Sequence, residues 1–131
     1  MKIPVFCLLG MLLCTAETCE KTEVSNVAES LPSESCGTDK KIVKAISSVE
    51  GKIEFESALR QYAIRRTIPG TYDSQDVGLL CGTIPQNLQK VGAQVLFSGT
   101  YKEYDKPSPA TIGGVTYYYL DLTKAELQKG N

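Results

Sequence analysis

An all-β domain with one short helix, built as a small five-stranded barrel, is the fold class this sequence predicts, and three observations carry it. Apolar and polar residues alternate from about residue 42 onward, as in Lys52-Ile53-Glu54-Phe55-Glu56, the period of a half-buried strand. Pro69-Gly70 and Gly113-Gly114 punctuate the runs, where turn residues end pairing. The stretch Thr116-Tyr117-Tyr118-Tyr119-Leu120 is made of residues that suit a pleated, half-buried surface.

The elements follow in order. Gly51 to Ser57 is the first strand, with Ile53 and Phe55 inward and Lys52, Glu54 and Glu56 outward; Ile42 to Val49 is an extended lead-in to it. Gln61 to Ile68 is the second, with Tyr62 and Ile64 facing the core and Arg65 facing out. Val77 to Cys81 is a short third strand, apolar enough to be buried on both faces. Thr83 to Gly92 reads as a short helix: Thr83 suits a cap, Pro85 a first turn, Leu88 and Val91 lie three apart, and Gly92 stops it. Ala93 to Tyr104 is the fourth strand, with Val95 and Phe97 inward and Gly99 at a bend. A loop spans Asp105 to Gly114, the fifth strand Gly114 to Thr123, and a tail Ala125 to Asn131. Three strands, a helix and two strands is the order of an OB-like Greek-key barrel.

Ahead of this domain, residues 1–19 read as a leader. Lys2 gives one charge, and Ile3 to Leu13 is apolar, too short to cross a bilayer as a helix, which needs about twenty residues. A basic start, a short apolar run and small residues form a secretory signal. Three processing routes stay open: cleavage after Ala16 in Cys14-Thr15-Ala16, lipidation at Cys19, or lipidation at Cys14. Cys19 is the preferred lipid site, because Glu20-Lys21 and a polar stretch follow it. Residues 20–41 read as a flexible polar tether, rich in Ser and Glu with scattered apolar residues; a short helix around Val24 to Leu31 is the rival reading. The barrel domain is expected over 42–127.

Composition excludes more than it selects. Net charge is −1, so there is no general attraction to nucleic acid, whose binders cluster positive charge. Histidine is absent, which removes the commonest general base, the commonest metal ligand and the usual partner of a Ser or Cys nucleophile. No catalytic set can be assembled, and neither a cofactor nor a metal site is expected. Of the five cysteines, Cys7 leaves with the leader. Cys36 and Cys81 then form the arithmetic disulfide pair if Cys19 carries lipid. Their spacing lacks the close pairs of a zinc site.

Several phrases stand together: Thr67-Ile68-Pro69-Gly70-Thr71-Tyr72-Asp73-Ser74, Val77-Gly78-Leu79-Leu80-Cys81, Val95 to Tyr101, and Gly113 to Thr123. In these the chain resembles a group of small uncharacterised lipoproteins of Gram-negative bacteria, over about Lys44 to Leu127. The resemblance implies a signal, a spacer and an OB-like β domain, and no catalytic residues.

The candidate binding residues are aromatic and basic. Tyr101 and Tyr104 come from one strand of an expected hairpin, and Tyr117, Tyr118 and Tyr119 from the other. Tyr117 and Tyr119 share a face, with Tyr118 opposite. Exposed rings of this kind stack on sugars, bases or a partner protein; cross-strand pairing that covers the barrel is the plainer reading. Arg65 and Arg66, with Arg60, could hold an anion, or be neutralised by Glu54, Glu56 and Asp73. Asp73, Ser74, Gln75 and Asp76 read as an ordinary turn. Together these features point to an exported, non-enzymatic binding or assembly module. It would sit in the periplasm or at the outer membrane or cell surface, touch membrane only through a lipid anchor, and use the barrel face or the Asp105–Gly114 loop on a protein or glycan partner. The alternative is an exported nucleic-acid-binding module, which requires the arginines and exposed tyrosines to share one face.

Overall fold

The computed structural model describes residues 39–82, 84–109 and 113–129. Five strands make it: β1 (Ile42–Glu56), β2 (Gln61–Thr67), β3 (Gln75–Leu80), β4 (Gln94–Glu103) and β5 (Val115–Leu127), with one 3₁₀ turn at Gln86–Leu88. They close into a barrel in the order β1-β2-β3-β5-β4, with β4 returning to β1. The β3–β5 pair is parallel and the other four pairs are antiparallel. This is the all-β, OB-like barrel the strand order predicts.

Closure depends on β1 serving two partners. Its first part, Ile42 to Lys52, pairs with β4, and its last part, Lys52 to Glu56, pairs with β2. A strand does this by bending, and an irregular register between Ile46 and Val49 supplies the bend. Ser48 sits there in the left-handed region at φ 50°, and its N–H donates to Ser98 Oγ at 2.9 Å across the gap. The lead-in expected ahead of the first strand is therefore part of it.

The interior holds Ile53, Ile64, Leu80, Phe97, Tyr101 and Leu120, one or more from every strand. Gly78 makes room for two of them: a Cβ there would lie 2.8 Å from both the Leu120 and the Tyr101 side chains. The third strand is buried on both faces, Asp76 to Leu80. Its odd positions Val77 and Leu79 join a second cluster outside the barrel with Ala63, Tyr117 and Tyr119.

Four expectations are corrected. The helix over Thr83–Gly92 is only the Gln86–Leu88 turn. Leu88 is buried but Val91 is 64% exposed, so no two-turn apolar face exists to hold a helix. The backbone is also used elsewhere: Gly92 N–H donates to Ile53 O at 2.7 Å, and Ile53 N–H to Ala93 O at 2.9 Å. Phe55 is not inward but 43% exposed, because β1 ends at the rim, where its ring packs edge-on against Tyr62, ring centres 5.0 Å apart. The expected tail is strand as far as Leu127, since Val95 to Ser98 pair with Lys124 to Leu127. Asp76 is not in a turn but within β3, and it is buried.

The leader (1–19), most of the tether, Cys19, Cys36 and Thr83 lie outside the described residues. The last tether residues are attached to the barrel: Lys40 pairs with Asp105, and Lys41 O accepts from Glu103 N–H at 2.9 Å.

Candidate binding surface

Strand direction brings three segments to one end of the barrel. Because β1 is antiparallel to β2 and β4, the start of β1, the β2–β3 turn and the β4–β5 loop share that end. The turn is closed by Ile68 N–H to Ser74 O at 2.9 Å and by Thr71 Oγ1 donating to Ile68 O at 2.7 Å. The loop is tied to it where Gln75 N–H donates to Gly114 O at 2.8 Å.

Below these segments, residues of all five strands meet in a polar plug. Asp76 on β3 is fully buried, and its Oδ2 accepts from Lys44 Nζ on β1 at 2.7 Å. Arg66 Nη1 on β2 stands 4.0 Å from the same oxygen. Two cations against one carboxylate leave one net positive charge. Lys44 Nζ also lies over the rings of Tyr101 and Tyr118, 5.3 and 5.0 Å from their centres, within cation–π range. Those rings are 4.9 Å apart. The Tyr101 hydroxyl is buried, with no hydrogen-bond partner among the described residues. Burial first, and then the nearby Asp76 carboxylate, push its ionisation well above the ordinary tyrosine range.

The rim around the plug carries exposed apolar side chains among polar ones. Tyr72, at the tip of the β2–β3 turn, is fully exposed, and Ile42 and Val43 at the start of β1 are exposed as well.

The tyrosines named from sequence separate into two environments. Tyr101 is 0% exposed inside the barrel. Tyr117 and Tyr119 face outward as a pair yet are only 7% and 9% exposed. Tyr104 packs on both, with ring centres 6.1 and 5.1 Å away. Tyr117 donates to Glu56 Oε2 at 3.0 Å, and Tyr119 to Asp105 Oδ1 at 3.2 Å. Burial, and then these carboxylates, raise the ionisation of both. Burial also raises that of Tyr104. The Lys40 ammonium bonded to Asp105 holds that carboxyl below its usual range.

The arginines do not form a patch. Arg65 points outward and donates to Glu54 Oε2 and Gln75 Oε1, both at 2.7 Å. Arg66 points inward to Asp76. Arg60 lies in the β1–β2 turn at the far end. The juxtaposition that nucleic-acid binding requires, arginines beside exposed tyrosines, is absent among the described residues. So is any group of three or more Cys, Asp or Glu that could hold a metal. None of the known protein-family models matches this chain, and no curated protein matches it.

Sequence reasoning missed Lys44, Tyr72 and the burial of Asp76. A signal existed for the last: Asp76 opens a run, Val77 to Leu80, apolar enough for burial on both faces. Its partner Lys44 is 32 positions away, a pairing no local pattern carries.

Proposed function

We propose that this protein is a non-enzymatic binding or assembly module of the cell envelope, and that it holds a protein or glycan partner at the loop end of its barrel. The observation that carries the reading is the rim: a fully exposed Tyr72 with exposed Ile42 and Val43 at the same end. Exposed apolar groups rimmed by polar ones are the usual mark of an interaction site. A tyrosine offers a large contact area with a polar tip at small conformational cost. Two carboxylates at this end, Asp76 and Asp105, are held by Lys44 and Lys40, which suits recognition rather than proton transfer. The signal-like start of the chain supports export, with lipidation at Cys19 as the route to a membrane surface.

Photo-crosslinking in the producing cells tests this. A benzophenone side chain at position 72 is expected to give a discrete protein or glycan adduct, and one at position 91, at the opposite end, none. Equal adducts at both positions, or none at 72, would remove the reading. Salt-dependent capture of a single-stranded oligonucleotide would replace it with the nucleic-acid alternative.

A further inference from the structure

The plug beneath the rim holds more hydrogen-bond donors than one carboxylate can use. Lysine and arginine each carry several N–H donors. Lys44 Nζ donates to Asp76 Oδ2 at 2.7 Å, and its ammonium also lies over the rings of Tyr101 and Tyr118. Arg66 Nη1 stands 4.0 Å from the same oxygen, beyond hydrogen-bond range, so the guanidinium shares its charge with Asp76 but does not spend its N–H groups there. The Tyr101 hydroxyl is a further donor, fully buried and with no partner among the described residues. It faces the same charges, since Asp76 and Arg66 both act on it.

Both cations are reachable from the rim. The Lys44 and Arg66 side chains are 35% and 19% exposed, against 1% for Asp76. A group arriving from solvent therefore meets donors and positive charge first, with the carboxylate behind them. Surplus donors on cations call for anionic oxygen. The net charge of two cations and one carboxylate matches a singly charged group; a doubly charged one would be repelled more strongly by Asp76. A planar carboxylate also fits the guanidinium fork through two parallel bonds. The rim says what carries it. Ile42 and Val43 are exposed beside the Tyr72 tip. Their branched aliphatic surface gains by burying apolar peptide side chains, and it offers a sugar's hydroxyls no hydrogen bond.

We propose that the loop end takes an acidic peptide segment of a protein partner, with a Glu or Asp carboxylate seated on Arg66 and Lys44 and its apolar neighbours on Ile42, Val43 and Tyr72. The site rests on the rim being the contact surface and names the chemistry it takes there. Lys44 is shared between Asp76 and the incoming carboxylate, and Asp76 holds both cations at the mouth of the barrel.

The test is an NMR titration of the isotope-labelled full chain with a blocked valine–glutamate–valine peptide, its valine–glutamine–valine analogue and glucuronic acid. The glutamate peptide is expected to shift the Arg66 Nε–H signal and the Ile42 and Tyr72 amides saturably, about tenfold more tightly than the glutamine analogue, with the preference shrinking as salt rises. Lys44→Gln should weaken the glutamate peptide about tenfold and leave the analogue unchanged. Arg66→Lys keeps the charge and loses the fork, and should weaken it about threefold with the sheet amides in place; where Lys44→Gln disturbs the fold, this variant decides. Equal affinity for the two peptides, with Ile42 and Tyr72 responding, removes the carboxylate site and leaves the rim as a contact surface. Tighter binding of glucuronic acid than of the glutamate peptide makes the partner an acidic glycan and overturns the proposal. So does an Arg66 signal that none of the three moves, or unchanged affinity in both variants; the crosslink at position 72 then decides the rim by itself.

Discussion

At the residue scale, the Tyr101 hydroxyl is one of three buried polar side-chain atoms without a hydrogen-bond partner among the described residues. Burying such a group unpaired costs about 1–3 kcal/mol. Tyr101→Phe keeps the ring between Lys44 and the core and removes that cost. Urea denaturation is expected to show it stabilised by about 0.5–2 kcal/mol; a loss of more than 1 kcal/mol would mean that the hydroxyl is bonded. Asp76 is the opposite case. It is the carboxylate between Lys44 and Arg66, and Asp76→Ala leaves two part-buried cations facing each other. A destabilisation of about 2–4 kcal/mol is expected in the same assay.

The tyrosines also set a pH dependence. Tyr101, Tyr104, Tyr117 and Tyr119 all hold their protons more tightly folded than free. A raised folded-state value means the folded chain binds more protons than the unfolded one just above the ordinary tyrosine value. The stability they contribute is therefore whole below about pH 10 and falls as pH rises beyond it. Urea midpoints should decline above pH 10, and the phenolate absorbance near 295 nm should rise with unfolding rather than before it. Phenolate appearing fully before any loss of β-sheet signal contradicts the assignment.

At the element scale, Gly99 shows why β4 and β5 can pass each other at their register shift between Ser98 and Gly99. A Cβ at Gly99 would lie 2.5 Å from the Asp121 backbone oxygen, an atom that cannot rotate away. Gly99→Ala is expected to cost about 2–3 kcal/mol by overpacking. Gly113→Ala, where nothing lies within 4 Å, should stay within about 0.5 kcal/mol of the parent. Parity made most of these strands legible in the sequence: Ile53, Ile64, Val95 and Phe97 are inward as their alternation requires. It failed where a rim or a long-range bond took over. Phe55 has inward parity but runs out of barrel. The Leu88–Val91 spacing imitates a helix, yet the backbone at Gly92 and Ala93 is bonded to Ile53 of β1. Two strands also outrun their predicted ends, β1 at its start and β5 at its finish, because partners on β4 continue the ladder.

At the scale of the whole molecule, β1 bends to close the sheet, so one end of the barrel gathers the β2–β3 turn, the β4–β5 loop and the start of β1. The candidate surface was only partly legible. The tyrosine and arginine runs are visible in sequence, but their faces are not: Arg65 and Arg66 are neighbours that point to opposite sides. Tyr101 and Tyr117 belong to different clusters. The plug joins Lys44, Arg66, Asp76, Tyr101 and Tyr118 from all five strands, a meeting that only closure creates.

Closure is tested most directly by amide and Hα NOEs between strands in an isotope-labelled chain. The account predicts parallel-type contacts linking Val77 with Tyr117 and Leu79 with Tyr119, together with antiparallel ones linking Glu50 with Leu96 and Ala45 with Thr100. An antiparallel β3–β5 pattern, or β4 with no contacts to β1, would contradict it.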